Sequence, residues 1–130
     1  MKVLVVDDDL DQLLLRGMLL RQSGFETAEA TDVASAMEMA AAYKPQLAVL
    51  DLRLPTEELG LSLIRQLKTL DPALKLFVLT GADPSRFSRH AEWQLVEDVL
   101  LKGSSAQLTQ KLRAAEARVQ ARDAPGPRPA

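Results

Sequence analysis

The chain carries three consecutive carboxylates, Asp7, Asp8 and Asp9, directly after the apolar run Val3–Val6, and a fourth, Asp51, inside the stretch LAVLDL. A threonine, Thr80, ends the run LKLFVLT, and a lysine, Lys102, ends DVLLK. Carboxylates held within about 4 Å of one another repel by about 4 kcal/mol per pair at an effective dielectric near 20, whereas the start of a helix relieves only about 0.3–1 kcal/mol. A divalent cation meets that cost. Oxygen donors without histidine or cysteine, in a cage left open to water and a phosphate, select Mg²⁺. Beside such an ion a carboxylate can attack a phosphoryl group and give an acyl phosphate, while an ammonium and a hydroxyl hold the transferred oxygens. Asp51 is the nucleophile this inventory favours. Phosphoryl transfer asks for positioning and charge neutralisation more than for a general base, which suits a set without histidine.

These residues meet only if the elements around them bring strand ends to one edge. Apolar runs at KVLVV (2–6), LAVLDL (47–52), LKLFVLT (74–80) and DVLLK (98–102), with a more polar FETAEA (25–30), read as five strands. Each is followed by a helical stretch: QLLLRGMLLRQSG ending on Gly24, VASAMEMAAAYKP closed by Pro45, GLSLIRQLKTLDP, the segment 84–95, and SSAQLTQKLRAAEARVQAR with serines suited to N-capping. Five strands alternating with five helices predict an α/β fold with a doubly wound parallel sheet covered on both faces, which is why the strands read as continuous apolar runs. Asp8, Asp51, Thr80 and Lys102 stand 43, 29 and 22 residues apart, the spacing of two, one and one βα units. In a right-handed βαβ layout they share one rim.

Composition narrows the classes. At 130 residues, with 47% apolar and 26% charged residues, the chain fits one globular domain with its own core. The net charge of -2 supplies no basic stripe, so direct nucleic-acid binding is not expected. The absence of cysteine removes disulfides, thiolate metal sites and thiol nucleophiles together. No run approaches a membrane span, and Met-Lys is followed by a short Val/Leu run without a small-residue cleavage site, so the expected location is cytoplasmic. The closing DAPGPRPA is too rich in Pro and Gly to pack, which sets expected boundaries of 1–122 for the domain and 123–130 for a flexible tail or the start of a linker.

VVDDD, LAVLDLRLP, VLTG and VLLKG, in this order and spacing, resemble the receiver domain of bacterial two-component response regulators, over residues 1 to about 122. The resemblance implies a flavodoxin-like sheet of order 2-1-3-4-5. It implies that Asp51 accepts a phosphoryl group from a sensor histidine kinase or phosphotransfer protein. Asp7 and Asp8 match the acidic pair that holds Mg²⁺, Arg53 would add its backbone carbonyl to the metal, and Thr80 and Lys102 match the hydroxyl and ammonium that grip the phosphoryl oxygens. Asp9 has no assigned role and reads as a solvated acid of the first helical turn. A homodimer is compatible with the resemblance, and the downstream partner is left open.

Each of these residues also has a bland reading: a helix start rich in acids, a polar strand end, a β-forming threonine, an exposed lysine. The joint pattern favours the functional one. Two alternatives stand beside it. One is a receiver-like interaction module that docks a partner with little or no phosphorylation-dependent switching. The other is a haloacid dehalogenase-type phosphatase, which wants a second aspartate two residues after the nucleophile; Asp51 is followed by Leu52 and Arg53, and although Asp7 and Asp9 have the spacing, the chain is short for that fold.

The chain departs from the family pattern in four places. Gly103 stands where a proline usually follows the lysine, and the Lys102–Gly103 bond is expected trans. Val99 replaces the usual Tyr or Phe, Leu95-Val96 replaces a small pair, and one extra residue lies between Pro55 and Gly60. His90 is expected exposed, and Trp93 is expected to anchor a fourth helix to the sheet. The six apolar residues among Leu13–Leu20 exceed one stripe, as in a deeply buried helix or one with a partner face.

Overall fold

The computed structural model describes residues 1–103 and 105–123. Five parallel strands, β1 (Lys2–Val6), β2 (Glu26–Ala30), β3 (Leu47–Asp51), β4 (Lys75–Thr80) and β5 (Asp98–Leu101), form one sheet in the order β2-β1-β3-β4-β5. Four helices connect and cover them: α1 (Leu10–Gln22), α2 (Val33–Tyr43), α3 (Glu57–Leu70) and α4 (Ser105–Asp123). The expected class and strand order both hold. Alternate residues of β1 enter opposite cores: Leu4 and Val6 join Leu63, Ile64 and Leu67 of α3, while Val3 and Val5 join Leu13 and Leu20 of α1 and Leu108 and Leu112 of α4. A strand buried on both faces has no polar side to show, hence the unbroken apolar runs.

Local chemistry sets the helix starts. Asp9 caps α1, its carboxylate accepting from the N–H groups of Asp11 at 3.0 Å and Gln12 at 3.2 Å, so it is the cap and not a first-turn acid as expected. Asp32 and Ser35 form a capping box on α2, and Lys44 ends that helix in the left-handed conformation at φ 52°. Thr56 caps α3 by accepting from Leu59 N–H at 3.2 Å, with Glu57 and Glu58 in the first turn. This helix therefore starts three residues before the expected Gly60, and the extra residue after Pro55 is absorbed in its cap and opening turn. The capping role expected of the serines before α4 falls partly on Ser104, and most of the expected tail on 124–130; both lie outside the described residues.

The expected fourth helix is not an α-helix. Residues 84–95 form two short 3₁₀ segments, Pro84–Arg89 and Ala91–Leu95, parted at His90, which is extended at φ -89° and ψ 143°. Phe87 is their buried anchor and the second segment buries no residue fully, so no continuous apolar face rewards an α-helix there. Trp93 does not anchor to the sheet either. It is 43% exposed and leans on Phe87, ring centroids 6.2 Å apart. His90 is half-buried and pairs with Glu57 of α3 at 2.7 Å instead of standing free. Of the six apolar residues among Leu13–Leu20, Leu13 and Leu20 are buried, whereas Leu14, Leu15 and Met18 are exposed. No helix among the described residues is long and apolar enough to cross a membrane.

Candidate functional site

Register builds the site. Val6 pairs with Leu50 and Leu50 with Val78, so Asp7 and Asp51 lie one step past the same row. Thr80 pairs with Leu101, and Lys102 follows directly. Backbone bonds pin each residue at the rim: Asp7 N–H donates to the Ala30 carbonyl at 3.2 Å, Leu52 N–H to Leu79 at 2.9 Å and Lys102 N–H to Thr80 at 2.7 Å. Residues dozens of positions apart thus converge without help from their own side chains.

Asp7 is fully buried and Asp51 and Thr80 nearly so, while Asp8 is exposed. Oxygens of Asp7, Asp8 and Asp51 come within 4.8 Å of one another. Three hard oxygen donors at that spacing, half open to solvent, fit a small divalent cation that keeps several waters. Lys102 Nζ lies 2.6 Å from Asp51 Oδ2 and 3.6 Å from Asp7 Oδ2. Burial pulls the Lys102 ammonium down, but its hydrogen bond to Asp51 and the charges of Asp51 and Asp7 outweigh that, and its pKa rises above the ordinary lysine value. It therefore stays a cation throughout the physiological range. Arg53 N–H donates to Asp51 Oδ1 at 3.1 Å, and Thr80 Oγ1 accepts from Ala82 N–H at 3.1 Å. Asp8, Asp51, Arg53, Thr80 and Lys102 line a common open cleft of about 590 Å³, against about 30 Å³ for one water, so a hydrated ion and a phosphoryl group fit together.

Every site residue expected from the sequence lies at this rim. One was missed. Arg16, from the second turn of α1, donates through Nη1 to Asp7 Oδ2 at 2.9 Å with its side chain 11% exposed. The signal was present: Arg16 falls between Leu13 and Leu20, on the inward stripe of an otherwise apolar helix face, where a charge needs a buried partner.

A doubly wound parallel sheet with carboxylates, a hydroxyl and an ammonium gathered at its C-terminal rim defines the class: an α/β domain of flavodoxin-like strand order with an acidic cleft at the strand ends. The chain belongs to the response regulator receiver domain family, whose description matches residues 3–113. It is 40% identical over 80 residues to the transcriptional regulatory protein PrrA of Mycobacterium tuberculosis, covering 62% of this chain and 34% of that one. Among solved structures, a receiver domain from Clostridium thermocellum superposes with a TM-score of 0.82 at 21% identity, over 92% of this chain and 96% of that one. A response regulator from Burkholderia pseudomallei, solved with a phosphorylated aspartic acid and a calcium ion, gives 0.77 at 27% identity, over 95% and 72%. The chain spans 34 to 42% of the length of the transcriptional regulators it matches.

Proposed function

We propose that Asp51 is the phosphoacceptor of this receiver domain, that Mg²⁺ is held by Asp7, Asp8, Asp51 and the Arg53 carbonyl, and that the donor is a sensor histidine kinase or phosphotransfer protein in the cytoplasm. The observation that carries this reading is the setting of Asp51, with Lys102 Nζ at 2.6 Å and oxygens of Asp7 and Asp8 within 4.8 Å. The Asp51 carboxylate forms a new O–P bond as the donor's bond to phosphorus breaks, and the departing group leaves with that bond's electrons. The metal, when bound, neutralises charge on the phosphoryl oxygens. Lys102 supplies a second fixed cation and Thr80 a hydroxyl donor at the mouth of the cleft. The phosphorylated aspartate in the Burkholderia protein supports the same chemistry. Incubation with acetyl phosphate and Mg²⁺ tests it: one phosphoryl group is expected per chain, on the peptide holding Asp51, and uptake elsewhere would overturn the assignment.

The metal part has its own test. Asp8→Asn is expected to weaken Mg²⁺ binding by at least about tenfold and to raise stability in the absence of metal, because repulsion among the acids is relieved. Asp9→Asn is expected to change neither, since asparagine caps a helix as well as aspartate does. Calorimetric titration with Mg²⁺ beside metal-free melting decides this, and equal losses in the two variants would show that the ligands are wrongly chosen.

Switching is expected to differ from the family pattern. Val99 is buried with Phe87 and Val78 in one core, and a β-branched side chain has no long lever to swing. Gly103 sits at φ 99°, a conformation that proline cannot take, so the loop after Lys102 follows another path than a Lys-Pro loop would. Phosphorylation, mimicked by beryllofluoride with Mg²⁺, should protect amides of the loops after β3, β4 and β5 and leave residues 95–101 nearly unchanged, with Trp93 emission almost constant. Broad protection across 95–101 with a shifted Trp93 spectrum would refute it.

A further inference from the structure

The acid cluster is already partly neutralised from within. Asp7, Asp8 and Asp51 bring three negative charges, Lys102 brings one positive charge, and Arg16 brings a second. Both oxygens of the fully buried Asp7 are taken: Oδ1 accepts from Asp9 N–H at 2.9 Å, and Oδ2 accepts from Arg16 Nη1 at 2.9 Å with Lys102 Nζ at 3.6 Å. A cation that enters must share Oδ1 with the Asp9 N–H, beside the charge of Arg16, or share Oδ2 with two cations or displace one of them. Lys102 is tied to Asp51 at 2.6 Å, so it is the less free of the two. Arg16 has somewhere to go. It lines a groove of about 160 Å³ between α1 and α4, together with Gln12, Leu15, Leu19 and Leu108.

We infer that Arg16 is a positioning residue that serves as a built-in counter-ion for Asp7, competing with the divalent metal and setting the metal concentration at which the phosphoacceptor site becomes charged. This rests on the metal reading of the same site. Without metal, the guanidinium holds the buried carboxylate in place and limits repulsion. With metal, it loses that bond and turns toward the groove. A buried carboxylate is thus never left unpaired in either state. The cost is a weaker metal site, because a divalent ion must enter against an additional positive charge.

The test is a Mg²⁺ titration by calorimetry, without phosphodonor, beside thermal melting with and without metal. Arg16→Met keeps the length of the stem and removes the charge. It should bind Mg²⁺ about tenfold more tightly than the unaltered protein, melt lower without metal and gain more from metal. Arg16→Lys, which keeps the charge, should stay near the unaltered affinity. Arg16→Gln, which keeps a donor but not the charge, should follow the methionine variant and carries the test if that variant fails to fold. A purely structural arginine predicts lower melting with an unchanged Mg²⁺ affinity, and that result, or a weaker affinity, overturns the inference. Adding Asp8→Asn to Arg16→Met should abolish the gain; if it persists, the ion is bound elsewhere and the inference falls. Should the unaltered protein and all variants ignore Mg²⁺, the metal reading itself fails, an outcome distinct from metal binding that is indifferent to Arg16.

Discussion

Asp51→Asn is expected to take up no phosphoryl group from acetyl phosphate with Mg²⁺, a loss of more than about 10²-fold by intact-mass measurement, while remaining folded. The amide is a poor nucleophile and cannot form the acyl phosphate, so the chemical effect is all or none. The fold should survive because asparagine has nearly the same volume, its Oδ1 can still accept from Arg53 N–H, now at 3.1 Å, and Lys102 retains Asp7 at 3.6 Å. Circular dichroism of the variant separates lost chemistry from lost structure. Phosphate on the Asp51→Asn protein would mean that another carboxylate is the acceptor, with exposed Asp8 the first to examine.

Gly60→Ala is expected to be the most damaging single-methyl change near the site. Gly60 opens the second turn of α3 and faces the backbone just after Asp51: a Cβ there would stand 1.8 Å from the Leu52 carbonyl oxygen and 2.7 Å from its carbon. Neither atom is the end of a flexible side chain, so the helix or the strand end must move. Overpacking of this kind costs about 3 kcal/mol or more, against roughly 1 kcal/mol gained from alanine's better helix propensity. The net loss should lower Tm by roughly 5–10 °C. Phosphoryl uptake should slow as well, since the displaced backbone carries Asp51. Gly81→Ala is the control: it lines the same cleft, nothing lies within 4 Å of its Cβ position, and its stability should change by less than about 0.5 kcal/mol. Similar melting losses for the two variants would show that the close approach at Gly60 does not constrain α3.

Most of this molecule was legible before folding because its signals are local and strong. Four of the five strands are short apolar runs cut off by Asp7, Asp51, Thr80 and Lys102, and a parallel sheet buried on both faces requires such runs. The same strand-end polar residues form the site, so the signals for the elements and for the chemistry coincide. What failed was the stretch 84–95. Its apolar residues permit a helix, yet only Phe87 is fully buried, with Leu95 packed partly against the same core, and the chain breaks at His90 where a side chain from another element, Glu57, holds it. Side-chain contacts between distant segments leave no periodic trace.

Arg16 shows the same division on a smaller scale. Residue types and spacing determined the fold class, the carboxylate rim and the order in which its members arrive, because hydrophobic periodicity and strand-end placement follow from nearest neighbours along the chain. Only the tertiary structure decided that Asp7 would be fully buried between two cations and that Gly60 would lie against the Leu52 backbone. Each depends on the distance between elements once the sheet and its helices have closed together. That distance is set by how all the side chains of both cores fill space at once, which no short window of sequence contains.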